Sequence, residues 1–179
     1  MSIKRFSVLL ISVLGTLAVF VPALYATLSV GTRAPNIVLS TLDGRTFRLS
    51  NTYRPPNKAV VLEFMSIYCP HCAAVAPYMV KLHDKYAKSG LSVVSVAVDQ
   101  NKPDITDFIH HYGIDYTVGL DSNAKAADLY KVEGVPTIYI IDRRGKIRYV
   151  HEGFPLSSQD QKREAALIGS EVQTVLSGR

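Results

Sequence analysis

The sequence predicts an α/β domain whose mixed central sheet is covered by helices on both faces and carries an extra β-hairpin on its N-terminal side. Three observations support this: a strand–helix–strand succession between Ala59 and Val98, a further alternation of helical and extended runs after it, and a closing hairpin followed by a helix. A chain of 179 residues with 47% hydrophobic content has room for one packed domain and a short targeting segment.

Residues 1–28 read separately from the rest. Lys4 and Arg5 precede an uncharged stretch from Phe6 to Thr32, and Phe6 to Phe20 is almost continuously apolar before Pro22 interrupts it. That order of charge and apolarity is an export signal. Two outcomes fit it: cleavage near the small residues Ala23 or Ala26, or retention as a single membrane anchor, since about 20 apolar residues span a bilayer. Residues 29–179 then form the domain.

Within the domain, Asn36–Ser40 and Arg45–Leu49 flank Asp43-Gly44, the turn signal of a β-hairpin. Pro55 and Pro56 mark a loop. Ala59–Met65 is an apolar run broken only by Glu63, as in a strand buried on both faces. A helix from Pro70 to about Lys88 and a β-branched strand over Leu91–Val98 complete a β-α-β unit. Pro103 opens a helix reaching Tyr112, Tyr116–Leu120 reads as a short strand, and the spacing of Ala, Leu and Tyr makes Asn123–Lys131 helical. Thr137–Ile141 and Lys146–His151 form a hairpin about Arg143–Gly145, and Ser157–Leu176 closes the chain as a helix.

Charge says little about partners. The net charge is +5 and the pI near 9.2, but the basic residues are dispersed and no run of them interleaves with aromatics, which argues against nucleic acid. The 2 cysteines, Cys69 and Cys72, sit three positions apart and leave no second pair to staple the fold, so their role is chemical.

Pro70 suits the first helical position, which makes Cys69 the cap and sets its sulfur over the free N–H groups of the first turn, where a thiolate is stabilised. Cys72 shares a helix face with Val75, Met79, Leu82 and Tyr86, an apolar stripe that turns towards the core. One exposed thiol beside one sheltered thiol is what disulfide exchange requires: the first attacks and the second resolves the mixed disulfide. A partly protonated His71 between them favours the reduced dithiol and makes the disulfide a stronger oxidant. Structural zinc lacks a second pair of ligands. Haem attachment needs a histidine where Ala73 stands. A copper site using both thiolates remains an alternative from a different class. His83, His110, His111 and His151 are dispersed and read as surface histidines.

Cys69-Pro70-His71-Cys72, preceded by Leu62-Glu63-Phe64, resembles the DsbA-type oxidases of the thioredoxin superfamily. The hairpin at Asp43-Gly44 and the turn Ile141-Asp142-Arg143-Arg144-Gly145-Lys146 are similar to the TlpA/ResA group of tethered thioredoxin-like proteins. The resemblance, over roughly Gly31 to Leu176, implies a thioredoxin-like fold and an extracytoplasmic thiol-disulfide oxidoreductase. It implies that Glu63, six residues before Cys69, lies beneath the pair and takes the proton of Cys72 during resolution. It also implies a cis bond at Val135-Pro136, with the Val135 backbone pairing with substrate beside Cys69, and a structural kink at Pro77. Peroxidase relatives of the fold carry a threonine three residues before a single working cysteine; here Ser66 stands there and a second cysteine follows.

The catalytic candidates are therefore Cys69, Cys72, Glu63 and His71, and the substrate-binding candidates Val135, Pro136, Pro70 and Tyr68. Tyr68 is either part of an apolar lip for substrate or a packed aromatic. No metal or cofactor is expected. The implied setting is the periplasm or the extracytoplasmic face of the inner membrane, with a monomer acting on cysteine-containing exported proteins and a membrane redox partner recharging it. The direction of exchange stays open: Pro70-His71 argues for donating disulfides, the TlpA/ResA-like body for reducing them.

Overall fold

The computed structural model describes residues 27–178, so the leader expected over 1–28 lies almost wholly outside the described residues. Among those described, no helix is long and apolar enough to cross a membrane. The strands are β1 (Val38–Thr41), β2 (Thr46–Arg48), β3 (Ala59–Met65), β4 (Leu91–Ala97), β5 (Thr117–Leu120), β6 (Thr137–Asp142) and β7 (Ile147–Glu152). The helices are α1 (Pro70–Tyr86), α2 (Lys102–Tyr112), α3 (Lys125–Leu129) and α4 (Ser158–Leu176), with a 3-10 turn at Leu49–Tyr53. Every expected element is present, and most ends shift by only a residue or two.

The strands form one sheet in the order β2-β1-β5-β4-β3-β6-β7. The inner strands β3, β4 and β5 are parallel, and the outer pairings are antiparallel. β3 is buried along its whole length because helices cover both faces, which is why its sequence runs apolar without alternation. Val61 and Met65 face a core shared with Val75 and Met79 of α1, Ile105 of α2 and Val172 of α4. Val60, Leu62 and Phe64 face the opposite core, with Leu49, Ala126, Ala127 and Tyr130. By the two-residue period of a strand, Glu63 shares the α1 face with Val61 and Met65. The antiparallel register sets Phe64 opposite Thr137, so the exit of β3 lies beside the entrance of β6. That pairing brings Ser66–Cys69 next to Val135-Pro136.

Two expectations are corrected. The helix expected over Asn123–Lys131 is only Lys125–Leu129, because Ala124 (φ 56°) and Lys131 (φ 54°) are left-handed and end it on both sides. Its first amides are met by Asp121, a buried carboxylate that accepts from the N–H of Ala126 at 3.0 Å and of Ala127 at 2.8 Å. Nor is His151 a surface histidine: its side chain is 9% exposed and sits between Glu164 (2.8 Å) and Glu171 (2.6 Å) of α4. The expectation failed because strand-to-helix packing, not local sequence, buries that edge of β7.

Asp121→Ala leaves two helix amides unpaired in a buried place, and we expect it to lower the urea-unfolding free energy by about 2 kcal/mol. Asp121→Asn keeps one acceptor oxygen and should lose less. A change in Asp121→Ala below about 0.5 kcal/mol contradicts the cap, being the size of an ordinary surface substitution.

Candidate active site

Cys69 is the N-cap of α1, with extended φ and ψ of −92° and 118°, and Pro70 begins the helix. Its carbonyl accepts the first helical hydrogen bond, from Ala73 N–H at 3.0 Å. The sulfur therefore lies at the positive end of a 17-residue helix. Val135-Pro136 is cis, as the resemblance implies, and the Cys69 thiol donates to the Val135 carbonyl oxygen at 3.3 Å. Cys69 is half-buried; Cys72, one turn on, is 1% exposed. Both are free thiols.

Cys72 packs with Val75 and Met79 of its own helix and with Val61 and Met65 of β3. Burial pushes its thiol well above the ordinary cysteine range, and the charges of Glu63 and Cys69 push it further the same way. Glu63 is 2% exposed. Burial raises its carboxyl from 4.5 to about 7, partly offset by the Ser95 hydroxyl, which donates to Oε2 at 2.6 Å. Ser95 is the direct β4 partner of Glu63 in the parallel register, so the sheet itself delivers this hydrogen bond. A carboxyl poised near neutrality within electrostatic reach of a high thiol is suited to taking that thiol's proton.

His71 stands exposed on the first turn, and its Nδ1 donates to the Phe154 carbonyl oxygen at 2.5 Å, which ties the ring to the segment after β7 rather than to either sulfur. A groove of about 580 Å³ opens beside the cysteines, lined by His71, Gly134, Val135, Phe154 and the carboxylates Glu133, Glu152 and Glu164. Tyr68 is 68% exposed and its hydroxyl donates to Asp104 of α2 at 2.6 Å, so it stands at the rim and is not packed into the core. The structure thus gathers Cys69, Cys72, Glu63, His71, Val135, Pro136, Pro70 and Tyr68 at one end of the sheet.

Sequence reasoning missed Asp99. Its carboxylate accepts from the Ser66 hydroxyl and from Ile67 N–H, both at 2.8 Å, and so pins the loop that presents Cys69. The only local signal was a carboxylate just after a buried strand. Ser95 was missed as well, since its importance follows from the β3–β4 register, which a sequence does not state. Among the described residues no three His, Cys, Asp or Glu side chains gather to hold a metal.

Residues 30–150 match the AhpC/TSA family. The thiol-disulfide oxidoreductase ResA of Geobacillus thermodenitrificans is 32% identical over 140 residues, 78% of this chain and 78% of the relative. ResA of Bacillus subtilis is 32% identical over 126 residues, 70% of this chain and 69% of its own length. Among solved structures, a putative thiol:disulfide interchange protein DsbE from Chlorobium tepidum superposes with a TM-score of 0.74 at 28% identity, covering 84% of this chain and 99% of that one. The thioredoxin-like architecture and the length and strength of these matches agree: the chain belongs to the AhpC/TSA family and sits within it among the thiol-disulfide oxidoreductases of the ResA type.

Proposed function

We propose that the protein works outside the cytoplasm, exchanging disulfides with cysteine pairs of exported proteins, with Cys69 as the attacking sulfur and Cys72 as the resolving one. The observation that carries this reading is the contrast between the two thiols: Cys69 is reachable at the helix N-terminus against a cis X-Pro carbonyl, whereas Cys72 is closed off above a buried carboxyl. In the reducing direction the Cys69 thiolate attacks a substrate disulfide, one substrate thiolate leaves, and a mixed disulfide forms. Cys72 gives its proton to Glu63 and attacks the Cys69 sulfur. The second substrate thiolate leaves, and the enzyme disulfide Cys69–Cys72 remains for a membrane redox partner to reduce. The oxidising direction is the reverse.

Extracytoplasmic placement is supported by Lys4 and Arg5 ahead of an apolar run, with the protein released into the periplasm or held at the outer face of the inner membrane. Disulfide donation is supported by Pro70-His71, and reduction by similarity to the ResA proteins. Val135, Pro136, Pro70 and Tyr68 border the place where an extended substrate segment would lie, adding a strand beside Cys69. Copper holding by the same cysteines is the weaker reading, because a buried Cys72 over a proton-accepting carboxyl serves exchange and not ligation.

Three measurements test this. His71→Pro should make the Cys69–Cys72 couple more reducing by about 30 mV or more against glutathione; an unchanged potential removes the electrostatic role of His71. Glu63→Gln should slow release of the mixed disulfide roughly tenfold or more while leaving its formation nearly unchanged. The same substitution should alter stability against pH. Because the carboxyl titrates near 7 when folded and 4.5 ordinarily, its contribution is complete below pH 4.5 and is lost as pH rises through 7, by about 3 kcal/mol. Glu63→Gln should flatten that slope; equal slopes in the two proteins contradict the buried titration.

A further inference from the structure

Next to the attacking sulfur stands the most exposed large hydrophobic side chain among the described residues. Tyr68 is 68% exposed, ahead of Val30 and Leu156. A ring left in water on a free side chain is ordinary and carries no meaning by itself. This one is not free. Its backbone N–H donates to the Ser66 hydroxyl oxygen at 3.3 Å, and its own hydroxyl donates to Asp104 at 2.6 Å. Tyr68 is thus fixed at both ends while the ring between them stays open to solvent. Both anchors trace to one short connection. Asp99, just after β4, accepts from the Ser66 hydroxyl and from Ile67 N–H, and Asp104 stands in the first turn of α2. Ile67 packs against the core, so the same loop sends one side chain inward and the next outward.

The bond made by Asp104 is not the one its position offers. An acidic residue three places after a helix cap can close back on the N–H of the cap residue. Asn101 caps α2 without a side-chain bond, and the carboxylate of Asp104 takes the Tyr68 hydroxyl instead, 36 positions away in sequence. The tie matters for binding, because a free tyrosine loses side-chain rotations when a ligand packs on it and a tied one has lost them beforehand. Since the hydroxyl is engaged, the face left to a ligand is aromatic carbon, whose complement is apolar. Consecutive Cα atoms lie about 3.8 Å apart. A polypeptide joined to Cys69 therefore carries the residues flanking its own cysteine to the neighbourhood of this ring.

We infer that Asp104, with Asp99 at the root of the loop, positions the Tyr68 ring as a fixed apolar platform that selects polypeptide disulfides with an apolar side chain next to the cysteine. The inference rests on the attacking role of Cys69 proposed above. Tyr68 touches substrate, whereas Asp104 and Asp99 are positioning residues that act through it. No covalent bond is involved beyond those of the exchange itself.

The test measures the second-order rate at which the reduced full chain opens disulfide-bonded peptides whose cysteines are flanked on both sides by Leu, Lys or Gly. Each rate is divided by that of dithiothreitol with the same peptide. Wild type should favour the Leu peptide over the Gly peptide about fivefold or more. Tyr68→Ala should abolish that preference. Tyr68→Phe and Asp104→Ala should each lower it roughly threefold, with the double variant no worse than either alone. Asp104→Asn keeps an acceptor oxygen and should retain the preference. An Asp104 that only steadies the α2 N-terminus predicts a lower Tm with the wild-type Leu to Gly ratio; that result overturns the platform. So does a Leu preference that survives in Tyr68→Ala, or a Lys peptide opened faster than the Leu peptide. Tyr68→Phe, at an exposed site, keeps the test decisive where Asp104→Ala weakens α2. A wild-type protein that opens none of the peptides removes the exchange reading itself, whereas one that opens all three at equal normalised rates removes only the platform.

Discussion

The site depends on a carboxyl buried in the middle of an apolar strand with one serine hydroxyl as its hydrogen-bond partner. An isolated ionised carboxylate in such a place is costly, and the group answers by holding its proton up to near neutrality. Cys72 lies in the same desolvated volume and is driven upward for the same reason. The two share one acid–base problem: whichever gains a proton makes the other's charge easier to bear. Cys69, one turn earlier, caps α1 instead of facing the core.

The sheet creates this division. Parallel pairing of β3 with β4 sets Ser95 against Glu63, and antiparallel pairing of β3 with β6 sets the cysteine loop against Val135-Pro136. The cysteines therefore sit where strands of opposite direction meet: β3 is leaving the sheet as β6 enters it. Asp99, at the end of β4, completes the arrangement by holding Ser66 and Ile67. Around Cys69 stand the Val135 carbonyl, the exposed Tyr68 and the tied His71 ring, while Cys72 stays buried one turn on.

Much of this was legible in the sequence because the information is local. An apolar strand leading into Cys-Pro-His-Cys states both the helix start and which thiol is sheltered, and the lone Glu63 in that strand marks a buried carboxyl. The N-terminal hairpin followed from the turn residues Asp43-Gly44. What could not be read depends on pairing across the fold. Ser95 matters only by register, and His151 only because α4 folds back with Glu164 and Glu171. The short α3 was over-extended for a different reason: two left-handed non-glycine residues bound it, and propensity gives no hint of them.

The account stands on the two thiols having opposite access to water although three residues apart. The direct measurement is the alkylation rate of each cysteine in the reduced native protein, read site by site by mass spectrometry after iodoacetamide pulses at pH 8. Cys69 should be modified and Cys72 protected by about 100-fold or more, with protection lost on unfolding. Comparable rates at the two sites in the folded protein would contradict the account.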